Sequence, residues 1–161
     1  MKIGVLADTH IPERAEGIPI KVLDDFKNAD LILVAGDLTT VTVLDKLKKI
    51  APVTAVFGNM DLQDVVKVLK RKEVVKCGKF KIGIFHGSVA PDKLVDQLKA
   101  EFQEDKVDII VFGHSHHPMN EYVGKILFFN PGSPTDKVFA PYNSYGILEI
   151  NDKIKAEIKR L

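Results

Sequence analysis

Three times before residue 62, this chain runs a short apolar stretch into a small residue and then a polar one. Lys2 to Ala7 leads to Asp8-Thr9-His10, Leu31 to Ala35 leads to Gly36-Asp37, and Val53 to Phe57 leads to Gly58-Asn59-Met60-Asp61. Helical spacing fills the intervals: Val22, Leu23 and Phe26 after a helix-starting Pro19, then Val41, Leu44 and Leu47, then Val65, Val66 and Leu69. Buried strands alternating with amphipathic helices are the βα pattern of a parallel sheet, which gathers its ligands at the carboxyl ends of the strands.

The pattern changes near residue 73. Val74 to Cys77, a Gly78-Lys79 turn and Phe80 to Phe85 read as a hairpin that ends in His86-Gly87. Pro91 opens a helix whose inner face is Leu94, Val95, Leu98 and Phe102. The strand Asp108 to Phe112 then runs into Gly113-His114-Ser115-His116-His117, where a sharp turn at Gly113 is expected to let His114 and His116 converge. Met119 to Val123 and Ile126 to Phe129 pair about Gly124-Lys125. A rigid Asn130-Pro131-Gly132-Ser133-Pro134 loop follows, and a last hairpin turns at Asn151-Asp152. Parallel units followed by antiparallel ones, with one core, predict two mixed sheets packed face to face with helices outside, an α/β (α+β) arrangement in a single domain over residues 1–161.

Composition narrows the function. Twenty-three basic against twenty-two acidic residues leave a net charge of +1, which argues against broad nucleic-acid or anionic-membrane binding. No apolar run is long enough to span a bilayer, and the apolar start meets Asp8 too soon for a signal peptide. The lone Cys77 has no internal partner and fits a reducing compartment, so a cytoplasmic address is expected.

The polar residues just past the strand ends are Asp8, His10, Asp37, Asn59, His86, His114 and His116. Taken singly, Asp8 or Asp37 reads as a helix cap, Asn59 as a turn former and His86 as a core histidine. Repeated at five strand ends, they are the residue types a divalent-metal site requires. The mix also has an electrostatic sense. Two divalent cations, two carboxylates, a neutral amide and four neutral imidazoles leave a net positive site even after a bridging hydroxide is added, and such a site suits a phosphate anion.

In this order, Asp8-Thr9-His10, Gly36-Asp37, Gly58-Asn59, His86-Gly87 and Gly113-His114-Ser115-His116 resemble the calcineurin-like metallophosphoesterase superfamily. The short length and the Asn130-Pro131-Gly132-Ser133 loop are most similar to its small YfcE-type phosphodiesterases, which are related to the Vps29 subunit of retromer. The resemblance implies a four-layer αββα sandwich and a metal-dependent phosphodiesterase that hydrolyses small phosphodiesters by attack of a metal-bridging hydroxide. It implies one metal on Asp8, His10, Asp37 and His116, and another on Asp37, Asn59, His86 and His114, with Asp37 bridging. Mn comes first among the candidate ions, with Ni, Co, Fe and Zn also compatible. A homo-oligomer is compatible as well. The same kinship keeps a non-catalytic protein-interaction scaffold as the alternative, and a metal-binding protein without turnover as a third reading.

One position departs from the family pattern. Many relatives carry a histidine directly after the Asn to protonate the leaving oxygen, whereas this chain has Met60, and a thioether donates no proton. Activated aryl diesters are therefore expected to be better substrates than alkyl monoesters. The catalytic roles fall to Asn59, His86 and His114, and to His117 as the substitute acid, which also reads as a solvated loop histidine. Asp61 is a weaker acid candidate and reads better as a helix cap. Arg14 reads as a solvated charge that can meet phosphate, and Met119, Phe139 and Tyr142 as an apolar wall of the site or as core.

Overall fold

The computed structural model describes the whole chain, Met1–Leu161. Ten strands, β1 (Lys2–Leu6), β2 (Leu31–Ala35), β3 (Val53–Val56), β4 (Lys72–Cys77), β5 (Phe80–Phe85), β6 (Ile109–Val111), β7 (Met119–Val123), β8 (Ile126–Asn130), β9 (Ser144–Ile150) and β10 (Ile154–Arg160), form two five-stranded sheets. The helices are α1 (Ile20–Phe26), α2 (Val41–Lys48), α3 (Gln63–Val66) and α4 (Leu94–Glu101), the last entered through a 3₁₀ turn at Pro91–Lys93. No helix is long and apolar enough to cross a membrane.

The first sheet runs β10-β9-β1-β2-β3 and the second β4-β5-β6-β8-β7. Each is mixed. Parallel pairs β1·β2 and β2·β3 carry the βα units of the first sheet, and antiparallel β9 and β10 complete it. In the second sheet a parallel centre, β5·β6·β8, is flanked by hairpin partners β4 and β7.

The two sheets face one another across an apolar layer. Ile3, Val5 and Leu33 on one side meet Ile82, Ile109 and Phe129 on the other, all buried. The outer face of the first sheet packs through Leu6, Ile32 and Val34 on Val22, Phe26, Leu44 and Leu47 of α1 and α2. Ile110 and Phe128 of the second sheet pack on Leu94 and Leu98 of α4. This is the expected four-layer αββα sandwich. The hairpin strand β4 begins at Lys72, two residues ahead of the apolar stretch that announces it, because antiparallel pairing with β5 continues to Lys72 opposite Phe85.

The register decides where the polar strand ends go. Leu6 lies beside Val34 and Ala35 beside Val56, so β1, β2 and β3 finish level with one another. Ile84 lies beside Val111, so β5 and β6 finish together in the other sheet. Five strand ends are thereby brought to one edge of the sandwich.

Candidate metal centre

Asp8, Asp37, His10, His86 and His116 are buried at this edge, His114 is half-buried and Asn59 is exposed. His86 Nε2 lies 3.2 Å from Asp37 Oδ2, 3.1 Å from Asn59 Oδ1 and 3.9 Å from Asp8 Oδ1. His114 Nδ1 is 3.0 Å from the same Asn59 oxygen. His10 Nε2 is 3.3 Å from His116 Nε2 and 3.7 Å from Asp37 Oδ2, and His116 Nε2 is 3.5 Å from Asp8 Oδ1. Potential donor atoms form two overlapping groups, Asp8-His10-His116 and Asp8-Asp37-His86, each within 4.8 Å. The seven predicted residues are in one place.

Their local backbone explains how residues two apart in sequence reach one point. Asp8, His10, Asp37, His114 and His116 all have left-handed backbones, with φ of 54°, 42°, 53°, 70° and 57°. Such conformations cost non-glycine residues on the order of 1 kcal/mol each and concentrate where function requires them. The expected turn at Gly113 is therefore made by the two histidines themselves. Gly113 serves a different purpose: a Cβ there would lie 2.8 Å from Asp8 Oδ2 and 2.9 Å from Ala7 Cβ, so only glycine lets the loop close on Asp8. Gly58 does the same on the other side, since its Cβ would fall 2.2 Å from Asp37 Oδ1.

The loop after β8 braces both halves of the centre. Asn130 Nδ2 donates to the Gly113 carbonyl at 3.0 Å, Ser133 Oγ to the Asp8 carbonyl at 2.7 Å and Thr135 Oγ1 to the Thr9 carbonyl at 2.7 Å. Asp8 itself accepts the backbone N–H of His114 at 3.1 Å. Asp136, which follows, accepts a short hydrogen bond from His116 Nδ1 and the backbone N–H groups of Val138 and Phe139. A buried carboxylate in this position holds the ring with its Nε2 lone pair turned inward. Asp136 carries no sequence signal of this role, because no spacing rule connects a loop carboxylate to a histidine twenty positions earlier.

Asp61 also departs from expectation. It caps no helix: its carboxylate accepts the backbone N–H groups of Asp37 at 3.0 Å, Thr39 at 2.7 Å and Gly58 at 2.7 Å, and so fixes the loops after β2 and β3. Arg14 is solvent-accessible yet tethered, with Nη1 3.9 Å from Asp136 Oδ1 and the guanidinium 5.9 Å from the centroid of Phe139. Phe139 stands edge-on to His116. Met119 instead packs against the β6-β8-α4 core, and Tyr142 lies beneath Arg160, so neither belongs to the wall of the main cavity. That cavity, about 430 Å³, is lined by His10, Arg14, Asn59, Met60, His117 and Phe139 among others. His117 is exposed on its wall, with Nδ1 donating to the Ser115 carbonyl at 2.8 Å. All five histidines of the chain therefore meet at this edge.

The electrostatics favour a cation. His86 Nδ1 faces the Ala35 carbonyl at 2.7 Å and must carry a hydrogen, so in a neutral ring the Nε2 lone pair would face three oxygen acceptors. Without a metal, only a second proton relieves this. Burial alone would lower the His86 pKa, but the hydrogen bond to Asp37 and the charges of Asp8 and Asp37 raise it to about 9. Burial raises Asp8 to about 6 despite the opposing pull of His86 and His116. His10 and His114 are lowered, mainly by burial, which keeps them neutral and able to donate lone pairs. For Asp37, burial pushes upward but the hydrogen bond from His86 and its charge prevail, and the carboxyl is held low. Oxygen and nitrogen acceptors thus converge on space that divalent cations fit.

The calcineurin-like phosphoesterase superfamily domain matches residues 1–153. The chain belongs to that superfamily. Its members use divalent metals, which accords with the donor set described above. A probable metallophosphoesterase of Methanocaldococcus jannaschii is 41% identical over 160 residues, covering 98% of this chain and 80% of the relative. A phosphodiesterase of the same archaeon is 25% identical over 146 residues, covering 82% and 83%. Among solved structures, wild-type Vps29 complexed with zinc, from Entamoeba histolytica, has a TM-score of 0.80 and 32% identity and covers 99% of both chains.

Proposed function

We propose that this metallophosphoesterase is a phosphodiesterase with a dinuclear centre, one metal on Asp8, His10, Asp37 and His116 and the other on Asp37, Asn59, His86 and His114. Mn is the first candidate for both. The observation that carries this reading is that His86 Nε2, its ring hydrogen committed to the Ala35 carbonyl through Nδ1, is turned toward Asp37, Asn59 and Asp8 oxygens. When bound, two divalent cations supply a Lewis-acid clamp on the phosphoryl oxygens and acidify water to a nucleophile.

The chain's own residues supply the remainder. Asp136 and Asp61 hold the donor loops in place. His114 and Asn59, the least buried of the donors, face the cavity in which a phosphate would lie. Arg14, on the same wall, offers a fixed positive charge to a phosphoryl oxygen. With Met60 beside Asn59, the leaving oxygen takes its proton from Nε2 of the imidazolium form of His117, whose Nδ1–H stays bonded to the Ser115 carbonyl. The donor set acts within one domain over residues 1–161, and the lone buried thiol at Cys77 accords with a cytoplasmic setting.

Purified protein is expected to contain about two equivalents of metal when Mn is supplied, and to hydrolyse bis(p-nitrophenyl) phosphate with a higher kcat/KM than an alkyl phosphomonoester. A faster monoester would overturn the assignment. The likeness to Vps29 supports a second reading, a protein-interaction scaffold, as do the exposed apolar residues Met60, Leu62, Val138 and Phe139. Bound metal without turnover of any diester would favour it.

A further inference from the structure

A second cavity of about 260 Å³ lies against the first and shares Pro91, Ser115 and His117 with it. Its remaining walls are Leu94, Val95, Phe112, Pro118 and Met119, with Glu121 the one carboxylate. We propose that this cavity binds the leaving alcohol of the diester, and that it selects an uncharged aromatic or otherwise apolar group. The inference rests on the phosphodiesterase reading above and goes beyond it by assigning the substrate class.

The argument is one of position and chemistry. In an in-line displacement the leaving oxygen departs on the side opposite the attacking water. The water oxygen forms the new P–O bond and gives up a proton to solvent. The ester P–O bond breaks with its electron pair on the leaving oxygen, which accepts the Nε2 proton of the imidazolium form of His117 and leaves the neutral ring. His117 borders both cavities together with Pro91 and Ser115, so the second cavity opens directly off the first on the His117 side. The carbon skeleton of the departing alcohol then lies beyond it, among the side chains of α4 and β7.

An apolar cavity of about 150 Å³ is enough to hold a benzene ring, so this one has room for a substituted aryl group. Glu121 adds selectivity of the opposite kind, because a leaving group bearing its own phosphate would meet a like charge. The occupant is therefore the neutral end of a small diester, and a continuing polynucleotide strand is disfavoured. Met60 makes this binding matter: where proton donation is weak, an aryl leaving group with low intrinsic basicity needs least help.

Two measurements test the proposal. Val95, half-buried on α4 and absent from the walls of the first cavity, is replaced by a bulky ring in Val95→Trp, which fills the second. For the Mn-loaded protein, KM for bis(p-nitrophenyl) phosphate is expected to rise about tenfold, while inhibition by inorganic phosphate, which needs only the donor site, stays within about twofold. In the metal-free wild type, p-nitrophenol is expected to shift the methyl NMR signals of Leu94, Val95 and Met119, and not those of Val22 or Leu47 in the opposite layer. An unchanged KM, or shifts absent from those methyls, would overturn the assignment. If the wild type turns over no diester, the phosphodiesterase reading fails by itself, and the NMR titration still decides whether the cavity takes an aryl alcohol.

Discussion

Asp136→Asn tests how far the metal centre depends on a residue that touches no metal. The carboxylate is fully buried and makes four contacts: His116 Nδ1, the Val138 N–H at 2.9 Å, the Phe139 N–H at 3.2 Å and Arg14 at 3.9 Å. Asparagine has the same shape but accepts on one side only. If its NH₂ faces His116, the ring must carry its hydrogen on Nε2, the atom that offers a lone pair to the metal. If its oxygen faces His116, the NH₂ meets the Val138 N–H, and a buried donor loses its acceptor. In the first case the His116 lone pair is no longer held inward; in the second a neutral amide oxygen holds it more weakly than a carboxylate does, in a loop that has lost a buried hydrogen bond. Loss of such an outer partner lowers metal affinity by roughly 10- to 100-fold, or about 1.4 to 2.8 kcal/mol. Calorimetric titration of the metal-free variant with Mn should show one site weakened by that factor and the other, on the Asn59 side, within about threefold. Equal affinity at both sites in variant and wild type would refute the argument that Asp136 fixes the ring.

Asp37→Asn should reduce the occupancy of both metals, whereas Asn59→Ala should weaken mainly one, because Asp37 Oδ2 lies near both His10 and His86 while Asn59 faces only His86 and His114; elemental analysis of the two variants decides. Gly58→Ala should cost on the order of 1–3 kcal/mol and lower metal occupancy, since its Cβ must displace Asp37; thermal melts with and without Mn test both parts. In the metal-free protein, His86 has a raised pKa, so its contribution to stability is complete below the unfolded value of 6.5 and is lost as pH rises through about 9. Asp8, also raised, contributes below 3.8 and loses that contribution through about 6. The metal-free melting temperature should therefore fall between pH 6.5 and 9, while Mn affinity rises over the same range as the His86 proton is expelled; proton release measured in buffers of different ionisation enthalpy gives the count, and none at pH 7 would contradict it.

The fold, and the polar residues that the structure gathers at one edge, are legible in the amino-acid order. Apolar periodicity is a local property, and each strand announced itself with the residue that follows it: Asp8 after Leu6-Ala7, Asp37 after Gly36, His86 after Phe85. What periodicity could not reach was the second ring of contacts. Asp61 reads as a cap because its sequence neighbour Leu62 precedes a helix, yet its carboxylate accepts the N–H groups of Asp37 and Thr39 in another loop and of Gly58 in its own. Hydrophobicity alone does not distinguish Phe139 from Met119 and Tyr142, and only its place beside His116 separates it from them.

The amino-acid order by itself determined which elements form and which polar residues stand at their ends, because burial pattern and turn chemistry act over a few neighbouring positions. Tertiary structure decided the register that levels five strand ends, the left-handed backbones that turn alternate side chains to one point, and the pairing of Asp136 with His116. Those depend on distances between segments that lie far apart along the chain, and such distances exist only once the two sheets have packed.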